Sequence, residues 1–204
     1  MSQSVYLYVC DTLSDWEPGH AIAALNQPFG QRDPGSLQVR TIAATADPVR
    51  TAGGVRILPD LTVEEAARER PAMLILPGAG TWDQAVHKPV IGFAKSLLDK
   101  DIPVAAICGA TVALAAAGML DDRDHTSNDP SMLDGSGYAG AGRYRPAPAV
   151  TDRGLITAGA AHPAEFAREI LRTLEVYEPD TLENWYGLYT TGERAYFDKF
   201  MAAV

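Results

Sequence analysis

Short apolar runs alternate with longer segments of helical period along most of this chain, and that alternation limits the folds open to it. The runs are "VYLYVC", "LQVRTIAA", "AMLILPGAG" and "IPVAAIC", and helices are read over about Trp16–Asn26, Val90–Leu98 and Gly109–Ala117. Runs without polar alternation are buried on both faces, and strands that alternate with helices build a parallel sheet covered on both sides. The fold class is therefore α/β, a doubly wound parallel sheet sandwiched by helices. Two hairpins are set into it: "VRTAGGVRIL" turns at Gly53-Gly54 and could leave the sheet as a ribbon, and "APAVTDRGLITA" turns at Asp152-Arg153-Gly154.

With 204 residues and no repeat, linker or low-complexity segment, residues 1–204 are expected to form one domain with a sizeable core. The last stretch, "EPDTLENWYGLY", reads as a helix with Asp180 and Glu183 spaced as a capping box and Leu182, Trp185, Tyr186 and Tyr189 on one face. A further helix carries Tyr196, Phe197 and Phe200. This aromatic tail is read as core packing against the sheet, with a lid or a dimer contact as the alternative.

A formal net charge of -9 argues against nucleic acid or anionic lipid as the main partner, since both need a basic surface. "VYLYVC" is short and follows no basic stretch, so it reads as neither a signal peptide nor a membrane span, and a cytoplasmic protein is expected. Cys10 and Cys108 are the only cysteines, too few for a disulfide framework, and each is read as a free thiol. Nothing in the sequence supports a metal or an organic cofactor.

Context separates the two thiols. Cys108 lies between a strand over Ile102–Ile107 and a helix that opens at Gly109, with Ala106 and Ala110 two residues to either side. A nucleophile elbow needs small residues there because its turn is so tight. Chemistry in a doubly wound sheet gathers at the carboxyl ends of the strands, and a helix N-terminus favours thiolate, so a lowered thiol pKa is expected. Cys10 lies inside an apolar run with no helix start after it and reads as a packing thiol. "LILPGAG" ends at the same rim, where the backbone N–H groups of Gly78, Ala79 and Gly80 could hold an oxyanion together with that of Gly109. Asp83 stands where a third glycine of G-x-G-x-x-G would be, so the turn is no dinucleotide fingerprint. Glu17, at the start of the first helix, is either a helix-dipole partner or, if the fold brings it to Cys108, a protonated carboxyl that donates to the thiolate.

These segments resemble the ThiJ/PfpI (DJ/PfpI) superfamily, whose members are similar to class I glutamine amidotransferase domains. The resemblance runs through the Glu17 segment, "TAGGVRILPD", "LILPGAG", "PVAAICGA", "AAGMLDDRDHTSN" and "VTDRGLITAGAAHPAEFAREIL". It implies a flavodoxin-like sandwich, a homodimer, a reactive cysteine at Cys108 and its acid partner at Glu17. Members act as peptidases, as glyoxalases or deglycases, as chaperones, or as redox sensors of stress. In the peptidase branch a histidine follows the cysteine; Gly109 stands here instead, which argues against that activity. Many members carry a histidine at the end of the "TS" motif, where this chain has Asn128, with His125 three residues earlier.

The histidines complete the candidate site. His125 is read as either a supporting base or a hydrogen-bonded structural residue, and period two would point it away from the face of Asn128. In "AAHPAEF", His162 and Glu165 are either a catalytic pair or ordinary helix-start residues. His20 could face the rim, and His87, beside Lys88 and Pro89, is expected to be exposed. The leading expectation is a cytosolic stress protein in which Cys108, paired with Glu17, is oxidised by peroxide. The alternatives are a cysteine-dependent hydrolase, glyoxalase or deglycase acting on a small carbonyl or amide, and a chaperone or binding protein.

Overall fold

A computed structural model of the chain describes residues 2–134 and 137–203. Strand β1 (Gln3–Tyr8) leads to α1 (Trp16–Asn26) and β2 (Leu37–Ala43). Next come β3 (Val49–Arg50), β4 (Arg56–Ile57), β5 (Leu61–Thr62), α2 (Val63–Ala66), β6 (Met73–Leu76) and α3 (Lys88–Leu98). Strand β7 (Val104–Ile107) passes almost directly into α4 (Gly109–Ala116). A long connection leads to β8 (Ala149–Asp152), β9 (Leu155–Ala158), α5 (Pro163–Thr173), α6 (Pro179–Thr191) and α7 (Arg194–Ala202).

Seven strands form one sheet in the order β5-β2-β1-β6-β7-β9-β8, parallel except for β8, which runs antiparallel to β9. This is the flavodoxin-like α/β architecture. Alternation along β1 sends Val5 and Leu7 to the face covered by α1 and α5, and Tyr6 and Tyr8 to the face covered by α3 and α4. Every residue of β6 and β7 is buried, as apolar runs without alternation require. Chain order reverses between β1 and β6, so the loops after these two strands open a crevice at their carboxyl ends. Cys108 follows β7, the next strand across.

The first hairpin forms a two-stranded ribbon of β3 and β4 outside the main sheet. It is tied to the loop before α1: Thr12 N–H donates to Arg50 O (2.8 Å), Ala52 N–H to Leu13 O (2.8 Å) and Gly53 N–H to Asp15 Oδ2 (2.6 Å). The second hairpin joins the sheet as its last two strands, with β9 paired to β7.

The aromatic tail packs differently from the expectation. One face of the sheet is already covered by α1 and α5, so α6 and α7 rest on those helices, with Leu182, Trp185 and Phe200 joining the same core cluster. His20 of α1 meets the edges of Trp185 and Tyr189, and Arg168 of α5 stacks on the Tyr186 ring. Asp180 and Glu183 make no capping box: Glu178 is the N-cap residue, Pro179 opens the helix, and Glu183 pairs with Arg168 at 2.5 Å. A capping box does form at the start of α2, between Thr62 and Glu65. Among the described residues no helix is long and apolar enough to cross a membrane.

Candidate active site

Only one residue separates the end of β7 from the start of α4, and Cys108 makes the turn at φ 59° and ψ -128°. Such a conformation costs an L-residue roughly 1–3 kcal/mol and persists only where the surroundings hold it. Cys108 N–H donates to Ala158 O (3.0 Å), and both the N–H (3.0 Å) and the hydroxyl (2.6 Å) of Thr111 donate to Cys108 O. A Cβ on Gly109 would stand 3.1 Å from both Ala79 O and Trp82 Cδ1.

Glu17 is brought to this turn. Its carboxyl is fully buried, and Oε2 accepts the N–H of Gly78 at 2.5 Å. A Cβ added to Gly78 would lie 2.6 Å from Glu17 Oε2 and 2.7 Å from Cys108 Cβ, so the missing side chain is what lets acid and thiol approach each other. Oε1 has no hydrogen-bond partner among the described atoms. Burial pushes the Glu17 carboxyl above its usual range, against the Gly78 N–H that favours the charged form. Gly78 thus serves differently from the expectation: its N–H is spent on Glu17 and is not an oxyanion donor. Gly80 N–H is also taken, by Thr12 Oγ1 at 2.8 Å. Ala79 N–H has no acceptor among the described residues, and the Gly109 N–H, first in α4, favours the charged form of the sulfur.

Asn128 occupies the other side. Its Oδ1 accepts the Ala160 N–H at 2.7 Å, which forces Nδ2 toward Cys108 Sγ at 3.2 Å. An amide in this place donates to the sulfur but takes no proton from it. Burial pushes the Cys108 thiol up, which departs from the lowered value expected of a helix N-terminus. Asn128 pulls it down, the charge of Glu17 pushes it up, and the Gly109 N–H pulls it down. Two anionic groups so close cannot both be favoured, so the titrations of Cys108 and Glu17 are linked. Cys10 is buried and pushed up to about 12, first by burial, as suits a packing thiol.

The histidines fall apart from the sulfur. His125 is fully buried, with Nδ1 on Arg123 O (2.7 Å) and Nε2 on the Tyr138 hydroxyl (2.6 Å). A carbonyl only accepts, so Nδ1 carries the proton and both nitrogens are spent in a structural role. His87 is buried rather than exposed, because Tyr8 (2.8 Å) and Thr81 (3.0 Å) engage both its ring nitrogens and Trp82 packs on it. His20 faces the aromatic tail. His162 stands 3.6 Å from Glu165 at the rim of a cleft of about 380 Å³, and no hydrogen bond joins it to Cys108 among the described residues. That cleft begins at Ser127 and Asn128 and is walled by Tyr144, Pro146, Pro148 and Ala160. Among the described residues no cluster of His, Cys, Asp and Glu is arranged to hold a metal.

Four residues were not singled out by the sequence: Trp82, which packs over Gly109; Ala160, whose N–H orients Asn128; and the hydroxyl pair Thr111 and Ser127, 2.7 Å apart. Each acts through a contact between segments distant in sequence.

Comparison with known proteins places this geometry among relatives. A protein of Bacillus subtilis named as the uncharacterized protease YoaZ is 40% identical over 206 residues, covering 100% of this chain and 98% of its own. A glutathione-independent glyoxalase of Caenorhabditis elegans, DJR-1.2, is 28% identical over 145 residues, covering 69% of this chain and 75% of its own. Among solved structures, a thiJ/pfpI family protein from Bacillus anthracis superposes with a TM-score of 0.92 at 39% identity, covering 100% of this chain and 98% of that one. The DJ-1 superfamily protein Atu0886 from Agrobacterium tumefaciens gives 0.82 at 28% identity, covering 95% of this chain and 100% of that one. The DJ-1/PfpI family model matches residues 3–173, which span the sheet, the elbow and the buried acid, and the chain belongs to the DJ-1/PfpI family.

Proposed function

We propose that Cys108 is the reactive centre of a cytoplasmic stress-response protein, a peroxide-sensitive thiolate paired with a protonated Glu17. The observation that carries this reading is the buried carboxyl, anchored through one oxygen on Gly78 and unpaired at the other. With Glu17 protonated, its upward push on the thiol vanishes, and its O–H joins Asn128 and Gly109 as a donor to the sulfur. The thiolate then attacks one oxygen of hydrogen peroxide as the O–O bond breaks. Sulfenic acid forms, and the departing hydroxide takes a proton from Glu17 and leaves as water. A homodimer is part of this reading, on the family resemblance.

Ultraviolet titration of the thiolate tests the pairing. Glu17→Gln, which keeps a neutral donor, should move the thiolate midpoint away from that of wild type by less than about one unit. A fall of more than a unit in Glu17→Gln would mean that Glu17 is ionised and repels the thiolate, and would sink the reading.

A second reading is favoured by the unspent Ala79 N–H and the neighbouring cleft: Cys108 adds to a small carbonyl, with Ala79 and Gly109 receiving the oxyanion. Wild type should then consume a reactive aldehyde such as methylglyoxal at least about a hundredfold faster than Cys108→Ser. Equal background rates in the two would eliminate this reading.

A further inference from the structure

The strained turn at Cys108 is gripped from two sides by one short stretch of chain. Asn128 Nδ2 donates to the sulfur at 3.2 Å, and the preceding residue, Ser127, lies 2.7 Å from Thr111 Oγ1, which is itself 2.6 Å from Cys108 O. Hydrogen counting orients this chain. Cys108 O is a carbonyl and only accepts, so the single hydroxyl hydrogen of Thr111 goes to it, and Ser127 must donate to Thr111. The path closes a ring: sulfur, Asn128, Ser127, Thr111, Cys108 carbonyl. Thr111 is fully buried and Ser127 is 5% exposed, so water does not replace these bonds. Ala160 N–H on Asn128 and Ala158 O on Cys108 N–H fasten the ring to β9 and the turn after it.

We infer that Thr111 and Ser127 are positioning residues for Cys108, holding its backbone in the elbow conformation so that the sulfur stays on Asn128 and beside Glu17. This rests on the reading of Cys108 as the reactive centre. A second consequence follows from the hydrogen count. Ser127 lines the cleft, yet its only hydroxyl hydrogen points inward, so it offers the cleft an acceptor and neither a proton nor a nucleophile.

The test is the pH profile of Cys108 alkylation by iodoacetamide, followed by peptide mass mapping, in wild type, Thr111→Val, Thr111→Ser and Ser127→Ala. Val keeps the shape of Thr but removes the hydroxyl, and Ser restores it. Loss of the ring lets the sulfur leave its donors, so Thr111→Val should move the profile to higher pH and slow alkylation at pH 7 about tenfold, the equivalent of one unit of pKa. Thr111→Ser should stay within about twofold of wild type, and Ser127→Ala should move the same way as Thr111→Val by a smaller amount. Ser127→Ala carries the test should Thr111→Val fail to fold. Profiles of Thr111→Val, or of Ser127→Ala alone, that overlay wild type would overturn the positioning role and leave Cys108 as the reactive centre. A wild type in which Cys108 reacts no faster than Cys10 would overturn both.

Discussion

Gly78→Ala should destabilise the chain by about 3 kcal/mol and remove the selective reactivity of Cys108, although it alters neither the thiol nor the acid. The new methyl group would stand 2.6 Å from Glu17 Oε2, 2.8 Å from Oε1 and 2.7 Å from Cys108 Cβ. Contacts this short do not exist in folded chains, so something has to move. Glu17, in the first turn of α1, is fully buried, and the Cys108 Cβ belongs to a backbone turn held at its N–H and its carbonyl, so neither yields cheaply. The same methyl group would push the Gly78 N–H off Oε2, leaving a buried carboxyl with no donor. Urea denaturation reads the first effect, and iodoacetamide labelling with peptide mapping reads the second. A Gly78→Ala chain with wild-type stability and an unchanged labelling rate would show that the acid and the thiol are not held together through this gap.

Cys108→Ser should take thiol labelling of the folded chain from about one group to near none, and should abolish uptake of peroxide oxygen by cysteine. The contrast is large because the remaining thiol is inert. Cys10 is buried and pushed up to about 12, so at neutral pH it is an uncharged group screened from solvent. A hydroxyl at position 108 stays protonated where a thiol ionises, so the oxygen atom does not stand in for sulfur as a nucleophile toward peroxide. Mass mapping after graded peroxide should place the first added oxygen on Cys108 in wild type. Oxidation of Cys10 or of the methionines well ahead of Cys108 would reject the redox reading.

Much of this site was legible in the linear chain, and for local reasons. The elbow shows as an apolar run that stops one residue before a helix, with Ala106 and Ala110 around Cys108; a tight turn imposes those sizes wherever it occurs. The sheet showed equally well, because strands buried on both faces leave uninterrupted apolar runs. What escaped depends on pairings between distant segments. His87 sits between polar neighbours and reads as exposed, yet Tyr8, far away in β1, draws its ring inward. Glu183 matches the spacing of a capping box, but its carboxylate finds Arg168 on another helix and the helix begins earlier, at Pro179. Gly78 looks like an oxyanion donor until Glu17 is seen to consume its N–H. Thr111 and Ser127 are common residues in unremarkable places, and only the fold sets them in line.

The buried carboxyl of Glu17 also ties the site to the folding equilibrium of the whole chain. Its proton is held more tightly in the folded state than in the unfolded one, where a glutamate titrates at about 4.3. Below that value both states keep the proton and the carboxyl is neutral in each. As pH rises above it, the unfolded chain releases its proton while the folded chain retains one. Folding then takes up a proton, and stability falls by as much as about 1.4 kcal/mol per pH unit until the folded carboxyl ionises as well. Conditions on the acid side therefore favour the fold, and the chain surrenders part of its stability as pH rises in return for setting a carboxyl beside a sulfur.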